Sequence, residues 1–367
     1  MSGLRRRETP SGTDTSYQQK GAELIMPSLV FNGNRIEARR ESRRIILSRT
    51  GDDCSTAASV SVPLNDVDRA TVVGHPHVSV SVLQKLMREG IPVSFISEKG
   101  HWYGTLHPDG DKNAARRLMQ YRQQENPAVR LSCAKKVVRA KIRNQRRVLQ
   151  RLAANRNESK ASAHLDAVDT LRQLARTAGQ APDNESLRGI EGTAAARYFQ
   201  RLGLFFPEAV PFNGRSRRPP RDAANALLSW TYTIVLSEVD AALRLQGLDP
   251  CFGWLHEVSA GTPALALDLL EPLRAPVCDL LVLNLLNHGI LGPADFHVSA
   301  EDGGTYLNET ARKKFFVHYE SHMQRKFKPA PDAPHTDLRQ CITRQVWGVL
   351  RLLENPETDE AGIFLMP

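Results

Sequence analysis

The hydrophobic pattern of this chain changes once, near residue 110, and that change limits the folds available to it. Between residues 27 and 106, short apolar runs alternate with turn residues, which is typical of β-strands. From there to about residue 353, apolar residues recur at intervals of three and four, which is typical of helices. The predicted fold class is therefore α+β multidomain, with a small N-terminal β-rich domain followed by a larger all-α domain.

This pattern divides the chain into four segments. Residues 1–26 are polar, mixed in charge and without periodicity, so we predict a disordered N-terminal extension. We predict a β-rich domain at residues 27–110, an α-helical domain at residues 111–353 and a short tail at residues 354–367. The β-rich domain lacks a cluster of acids and histidines but offers strand edges, so we predict that it mediates dimerisation.

The β-rich segment also carries local turn signals. Asn32-Gly33 favours a two-residue hairpin between strands at residues 28–31 and 35–38. We predict further strands at residues 44–48, 58–62, 70–73 and 92–96, and one amphipathic helix at residues 79–89.

Composition restricts the environment and the partners. The chain has 367 residues, 41% of them hydrophobic, and 49 Lys and Arg against 40 Asp and Glu, a net charge of +9. That excess favours a polyanionic partner. The five cysteines lie far apart without a C-x-x-C pair, which indicates a reducing compartment rather than a disulfide scaffold or zinc ribbon. No apolar run reaches the roughly 18 residues that span a membrane, and no secretory signal precedes the β-rich segment. We expect a cytoplasmic protein with no membrane partner.

The positive charge is concentrated in one stretch. Between Lys112 and Arg156 there are fourteen Lys or Arg and a single acid, Glu125. The net charge of this stretch is therefore larger than that of the whole chain. In the helix predicted after Pro127, a basic stripe lies beside an apolar one and consists of Lys136, Arg139, Arg143 and Arg147. A solvated helix face is the alternative. Without nearby acids the like charges repel, which favours DNA phosphates as the counter-charge.

A second basic cluster lies in a Gly/Pro-rich loop, residues 213–221. Arginine can bind a phosphate through two parallel hydrogen bonds. We therefore add this loop's four arginines to the candidate nucleic-acid-binding residues: Arg215, Arg217, Arg218 and Arg221.

Glu191 is the first candidate catalytic residue. Its neighbours on the same helix face include Ala194, Tyr198 and Leu202, so a carboxylate lies where the helix should be buried. Such a carboxylate needs a partner or a metal. A buried pair with an arginine and a metal ligand are equally compatible with this pattern.

Three further candidates lie together in the sequence. His256 precedes an apolar run that contains Asp268 and Glu271, which are three residues apart and share a helix face before Pro272. A hydrogen-bonded core histidine is the alternative for His256. The two carboxylates should repel unless a proton or cation intervenes. Carboxylate oxygens with one imidazole suit Mn²⁺ or Mg²⁺ better than zinc.

Five motifs, in this order, resemble the CRISPR-associated endonuclease/integrase family of spacer acquisition. They span roughly residues 27–330 and are Gly189-Ile-Glu191-Gly, Phe212-Asn-Gly-Arg215 with Arg218-Pro-Pro220, Asn225-Ala-Leu-Leu-Ser229, Gly253-x-Leu-His256, and Leu265-Ala-Leu-Asp-Leu-Leu-Glu-Pro-x-Arg274. Each motif is weak alone, and the set is specific.

The resemblance implies roles for the candidate residues. Glu191, His256 and Glu271 fall on the family's metal-ligand positions, with Mg²⁺ or Mn²⁺ as the cofactor, and Asp268 falls on an adjacent acidic position that supports activity. One departure is Ala264, where the family pattern has a serine. The change removes a hydroxyl but no ligand.

The resemblance also implies a reaction and partners. A DNA 3′-hydroxyl attacks a phosphodiester of the CRISPR array and inserts spacer DNA, and with water as nucleophile the same site acts as an endonuclease. The implied partners are double-stranded DNA, a second copy of the chain and a small ferredoxin-like protein of the adaptation complex. A transposase-type integrase with the same site and a non-catalytic DNA-binding scaffold are the alternatives.

Overall fold

The structure is a computed structural model that describes residues 24–25, 28–49, 59–108, 113–216, 218–330, 333–358 and 362–367. Most of the predicted N-terminal extension, and the predicted boundary at residue 110, lie outside the described residues. The predicted fold class is confirmed, since strands precede residue 107 and long helices follow residue 113. A two-stranded hairpin inside the helical part was not predicted.

The β-rich part consists of two sheets. A five-stranded sheet has the order β1-β2-β6-β8-β9 and a four-stranded sheet the order β5-β4-β3-β7. Hydrophobic side chains from both sheets and from helix α1 (Val80–Arg88) form a separate core. The strands are β1 Leu24–Ile25, β2 Ser28–Asn32, β3 Ile36–Glu41, β4 Arg44–Arg49, β5 Val60–Pro63, β6 Arg69–Val73, β7 His77–Val78, β8 Val93–Ile96 and β9 Trp102–Leu106.

The predicted hairpin at Asn32-Gly33 was wrong. β2 pairs in parallel with β6, whereas β3 pairs with β4 in the other sheet, so Gly33 carries the chain between sheets. The reason is tertiary: the buried Asn32 side chain accepts a hydrogen bond from Arg312 Nε at 3.0 Å. Gly33 has φ +103°, and a Cβ there would lie 2.7 Å from the Glu309 carboxylate. Contacts with a later helix therefore override the local hairpin signal.

The helical part surrounds one long central helix, α3, which packs against α4, α5 and α7. Its helices are α2 Ala114–Gln124, α3 Pro127–Asn155, α4 Ser162–Gly179, α5 Asn184–Leu202, α6 Ala223–Leu245, α7 Ala264–Leu273, α8 Leu280–Asn287, α9 Glu309–Gln324 and α10 Leu338–Glu354, and its hairpin is formed by β10 Phe296–Val298 and β11 Thr305–Leu307. Among the described residues, none of the helices combines the length and apolar character needed to cross a membrane.

Helix α3 begins where the sequence predicts. The Asn126 side chain accepts hydrogen bonds from the backbone N–H groups of Ala128 and Val129, and Pro127 occupies the first helical turn, where its missing N–H costs nothing. The apolar stripe of this helix faces the core, with Val138 and Ile142 fully buried. Local capping and periodicity therefore define the scaffold of the helical part.

A buried charge network joins the β-rich part to the helical part. Arg339 donates hydrogen bonds to both Glu238 and Glu320, and Arg69 of β6 donates to Glu238 at 2.7 Å. We call this set the interdomain network; its members are Ser28, Arg69, Glu238, Tyr319, Glu320 and Arg339. It fixes how β2 and β6 lie against α6, α9 and α10.

Two prolines shape the segment after α7. Pro272 lies inside α7, where it cannot donate the usual backbone hydrogen bond. The helix continues to Leu273, and residues Arg274–Asp279 form a π-helical turn that contains Pro276. The Pro272 carbonyl accepts a hydrogen bond from Asn144 of α3 at 2.7 Å. This irregular segment is thereby fixed against the central helix, directly beside Glu271.

Candidate active site

Three separate elements contribute the predicted site residues. Glu191 lies on α5, His256 lies in the loop before α7, and both Asp268 and Glu271 lie on α7. The central helix α3 contributes a fifth residue, Lys141, which the sequence analysis did not single out.

Lys141 connects two of the predicted residues. Its Nζ contacts a carboxylate oxygen of Glu191 and lies 2.5 Å from Glu271 Oε2. The Lys141 side chain is 9% exposed, that of Glu271 7%, and that of Glu191 24%. The Lys141 ammonium therefore holds the carboxylates of α5 and α7 so close together that one cation can contact both.

Glu271 lies deepest in this group. Its Oε1 accepts a hydrogen bond from Arg274 Nε at 3.0 Å. Burial by itself would raise the pKa of Glu271, but the charges of Arg274 and Lys141 outweigh it and lower that pKa to about 2. Glu271 is thus a carboxylate held in its ionised form, as a metal ligand must be.

Asp268 is fully buried and has a different set of partners. Its Oδ2 accepts hydrogen bonds from the backbone N–H groups of Trp254 and Leu255, and its Oδ1 accepts one from that of His256 and lies 2.6 Å from the ring Nδ1 of His256. From the sequence, Asp268 and Glu271 were expected to repel unless a proton or cation intervenes. In the structure, N–H donors surround Asp268, and Arg274 and Lys141 accompany Glu271. The role of Asp268 in this geometry is to position His256.

His256 is held by this contact in one orientation. A carboxylate can only accept, so Nδ1 of the ring must donate, and Nε2 is the nitrogen left to bind a metal or a proton. Burial alone would lower the pKa of His256, but the hydrogen bond to Asp268 and the charge of that carboxylate raise it. The side chain is 36% exposed, and its role as a metal ligand stays a prediction.

The loop that presents His256 depends on a close backbone approach. A Cβ at Gly253 would lie 2.7 Å from the backbone of Ala264 and 2.8 Å from Asp268 Oδ2, so only glycine fits. Ala264, where the family pattern has serine, is itself buried at this contact. The chain thus uses the smallest residues where the loop meets the start of α7.

The donor set fits a hard divalent cation. Glu271 Oε2 is buried and accepts no well-directed hydrogen bond, although Lys141 Nζ lies close to it. A metal ion that binds this oxygen would take the place of the Lys141 ammonium. Among the described residues, no group of three acidic, His or Cys side chains is close enough to be recognised as a metal cluster. In this conformation Lys141 lies between Glu191 and Glu271, the two carboxylates that would have to converge on a metal ion.

The sequence did contain a signal for Lys141. It lies one residue before Ile142 and three after Val138, within the apolar stripe of α3, where a lysine should not be buried without a partner. The same holds for Arg274, which follows the apolar run of α7 and bonds Glu271. Searching helix faces that should be buried for charged residues, which identified Glu191, therefore also finds these two cations.

The predicted basic stripe is not one continuous solvated surface. Lys136 donates to the carbonyl of Pro356 at 2.8 Å, and Arg147 donates to the carbonyl of Pro367 at 2.8 Å. Arg139 and Arg143 line a cleft of about 240 Å³ between α3 and α4. Carbonyl partners leave the positive charge in place, so DNA binding by this stripe stays a prediction.

The arginines of the second cluster differ from one another. Arg215 donates to Asn225 at 2.7 Å and lies over the rings of Phe199 and Tyr232, which is an internal packing role. Arg218 and Arg221 are exposed. Arg217 lies outside the described residues.

Comparison with known proteins identifies the family. The sequence model of the family described as CRISPR associated protein Cas1 matches residues 29–321. The chain is 34% identical to CRISPR-associated endonuclease Cas1 3 of Thermus thermophilus, over 79% of this chain and 80% of that protein. These matches define a CRISPR-associated endonuclease. The chain belongs to the Cas1 family, which confirms the resemblance inferred from the five motifs.

Solved structures share the fold. A casposase bound to integration product is similar with a TM-score of 0.78 and 22% identity, covering 92% of this chain and 93% of that chain. A Cas6-RT-Cas1–Cas2 complex is similar with a TM-score of 0.75 and 25% identity, covering 98% of this chain and 38% of that chain. At 22% identity, the casposase likeness concerns the fold alone.

Proposed function

We propose that this protein inserts spacer DNA into a CRISPR array by attack of a DNA 3′-hydroxyl on a phosphodiester. The observation that carries the proposal is the convergence of Glu191 and Glu271 on one cation, in a chain of the Cas1 family. In the reaction, the 3′-oxygen forms a bond to phosphorus, the bond to the departing 3′-oxygen breaks, and that oxygen takes up a proton. With water as the nucleophile, the same site cuts DNA.

The proposed cofactor is Mg²⁺ or Mn²⁺, held by Glu191, Glu271 and Nε2 of His256. Such an ion polarises the phosphoryl oxygen and lowers the pKa of the attacking hydroxyl. Glu271 is ionised because of Arg274 and Lys141, and Asp268 keeps the His256 ring in the orientation that exposes Nε2. The irregular segment after Pro272 fixes Glu271 against α3.

The proposed DNA-binding surface includes the cleft between α3 and α4. Five guanidinium groups line it, three from α3 and two from α4: Arg139, Arg143, Arg146, Arg172 and Arg176. Arginines at this density favour phosphate oxygens as ligands. Arg218 and Arg221 extend the candidate surface.

The proposed partners follow from relatives. One solved structure with the same fold is a Cas6-RT-Cas1–Cas2 complex, which supports a Cas partner for this chain. As the resemblance implies, we expect that partner to be a small ferredoxin-like protein and the chain to act with a second copy of itself. The edge strands β1, β5, β7 and β9 make the β-rich part the proposed dimer contact. Light scattering of variants with a proline in an edge strand, which blocks pairing, measures that contact.

A joining assay tests the reaction. Purified protein, its small partner, a short DNA duplex and a plasmid bearing the repeat array are combined with Mn²⁺. Joined product is expected with a 3′-hydroxyl duplex and not with a 3′-dideoxy duplex, because only the former supplies the attacking oxygen. Joining without any preference for the repeat boundary would favour a transposase-type integrase. DNA binding with neither joining nor cutting would favour the scaffold alternative.

A further inference from the structure

We propose that Lys141 is an internal cation that holds Glu191 and Glu271 together before a metal arrives and then competes with that metal for them. The inference rests on the proposed metal site and concerns a residue of α3 outside the predicted ligand set.

Lys141 is placed for this role and not only for structural pairing. Glu271 already has a hydrogen-bonded cationic partner in Arg274, so it does not need a second cation to be neutralised. Lys141 nevertheless reaches both Glu271 on α7 and Glu191 on α5. Its contacts therefore serve the pair of carboxylates, which would otherwise repel each other across the two helices.

Competition follows from the shared oxygens. Mg²⁺ and Mn²⁺ bind carboxylate oxygens at about 2.1 Å, so an ion bridging Glu191 and Glu271 would lie in the space that the ammonium fills. Two cations at such close range repel strongly in a buried site. Exchanging the ammonium for a metal breaks the hydrogen bond that Lys141 donates to Glu191 Oε1 and the contact of Nζ with Glu271 Oε2, and the metal takes over both oxygens. Metal entry therefore requires Lys141 to move away.

The test measures metal binding and stability rather than turnover. Mn²⁺ is titrated into the full chain by calorimetry and by electron paramagnetic resonance, using wild type, Lys141→Met and Lys135→Met. Lys135 lies on the same helix, is half-buried and is outside the site, so it serves as the matched control. Methionine keeps an unbranched, flexible side chain one atom shorter than that of lysine and removes the charge.

For Lys141→Met we expect the Kd for Mn²⁺ to fall by about 10-fold, as is typical when one member of a coupled cluster is removed. In EDTA the melting temperature of this variant should fall by about 5 °C or more, because two carboxylates lose their shared cation. Saturating Mn²⁺ should raise the melting temperature of the variant most of the way back to that of wild type. Lys135→Met should match wild type in both measurements.

The outcomes separate the inference from the proposed function. If wild type binds no Mn²⁺, the proposed metal site fails. If wild type and Lys141→Met bind Mn²⁺ with equal affinity, or the variant binds it more weakly, the metal site stands and the competition is refuted.

A second measurement needs no variant and remains decisive if Lys141→Met does not fold. Crystals of wild type are grown in EDTA and then soaked in Mn²⁺. The anomalous signal locates the metal, and the refined side chain gives the position of Lys141 Nζ. We expect Nζ to leave both carboxylates. An ion bound to Glu191 and Glu271 with Nζ still touching both would refute the inference.

Discussion

The protein contains two buried clusters of carboxylates and cations, and they differ in how completely they are hydrogen-bonded. In the interdomain network, each of the four oxygens of Glu238 and Glu320 accepts two hydrogen bonds, supplied by Arg339, Arg69, Tyr319, Ser28 and Gln324. In the candidate active site, Glu271 Oε2 accepts no well-directed hydrogen bond, and Glu191 and His256 are partly exposed.

We propose that this difference separates a structural cluster from a metal-binding one. A carboxylate whose lone pairs are all occupied has nothing left to offer a ligand, and its removal leaves other buried charges unpaired. A carboxylate oxygen that contacts a displaceable ammonium, next to a partly exposed imidazole, can still bind a metal. The degree of hydrogen-bond saturation, rather than burial or charge alone, therefore distinguishes the two clusters. The following predictions test this distinction, from the largest expected effect to the smallest.

Glu191→Gln and His256→Ala should each lower strand transfer by about 1000-fold, because each removes a proposed metal ligand. Melting temperature and DNA affinity should stay close to wild type, since both side chains are partly exposed. Glu257→Gln is the matched control: this residue adjoins His256 but is exposed and pairs with Arg188. Turnover near wild type in the two site variants would contradict the proposed site.

Arg339→Met should destabilise the fold by about 3–5 kcal/mol, the usual cost of leaving buried charges without a partner. Chemical denaturation measures this loss, and the specific activity of the folded fraction should be unchanged. Glu301→Gln, in an exposed pair with Lys99, is the control and should not move the denaturation midpoint. A loss of activity at full stability in Arg339→Met would remove the distinction between the clusters.

Glu238 should make stability depend on pH. Burial alone would raise its pKa, but Arg339 and Arg69 lower it from 4.5 to about 2. A folded-state pKa below the unfolded value stabilises the protein above pH 4.5, and this contribution is lost as the pH falls from 4.5 towards 2. The contribution is about 3 kcal/mol.

The comparison variant is Glu238→Gln, which cannot ionise. Urea denaturation of both proteins from pH 7 to pH 3 gives the difference in unfolding free energy. That difference should be largest at pH 7 and shrink below pH 4.5. A constant difference across the range would show that the charge of Glu238 is not what stabilises the network.

Asp268→Asn should lower strand transfer by about 10–100-fold, the usual effect of losing the partner that orients a metal-binding histidine. The amide cannot accept all the hydrogen bonds that the carboxylate receives. Asp249→Asn is the control, because Asp249 caps the same loop at Cys251 and bonds Tyr121 without touching His256. Equal losses in the two variants would assign Asp268 to loop stability alone.

The smallest effect is expected at the arginine cleft. Arg176→Gln should flatten the plot of log affinity against log salt by about 0.9, if this residue neutralises one phosphate. Arg172 lines the same cleft but pairs with Asp169, so Arg172→Gln should change the slope less. Fluorescence anisotropy over a salt series measures both variants. An unchanged slope in Arg176→Gln would place the DNA elsewhere, with Arg218 and Arg221 as the next candidates.

Local signals predicted much of the scaffold. The helix after Pro127 and the helix predicted at residues 79–89 were found within one residue of their expected starts, because capping residues and helical periodicity act over a few residues. Asn32-Gly33 shows the limit of such signals. Its hairpin preference is small compared with the buried bonds of Asn32 to α9, which lies about 280 residues further along the chain.

In the candidate site, too, some features follow from local sequence and others only from tertiary contacts. The sequence by itself determined the α+β fold class, the family and the polar residues placed on apolar faces, because periodicity, motifs and misplaced charge are readable one element at a time. Only the tertiary structure decided which charges meet. The spacing of Asp268 and Glu271 suggested repulsion unless a proton or cation intervenes. In the fold, the backbone N–H groups of residues 254–256 donate hydrogen bonds to Asp268, and Arg274 donates one to Glu271. Lys141 meets Glu191 and Glu271 because α3, α5 and α7 pack together, and the pairing of buried charges depends on that packing and not on distance along the chain.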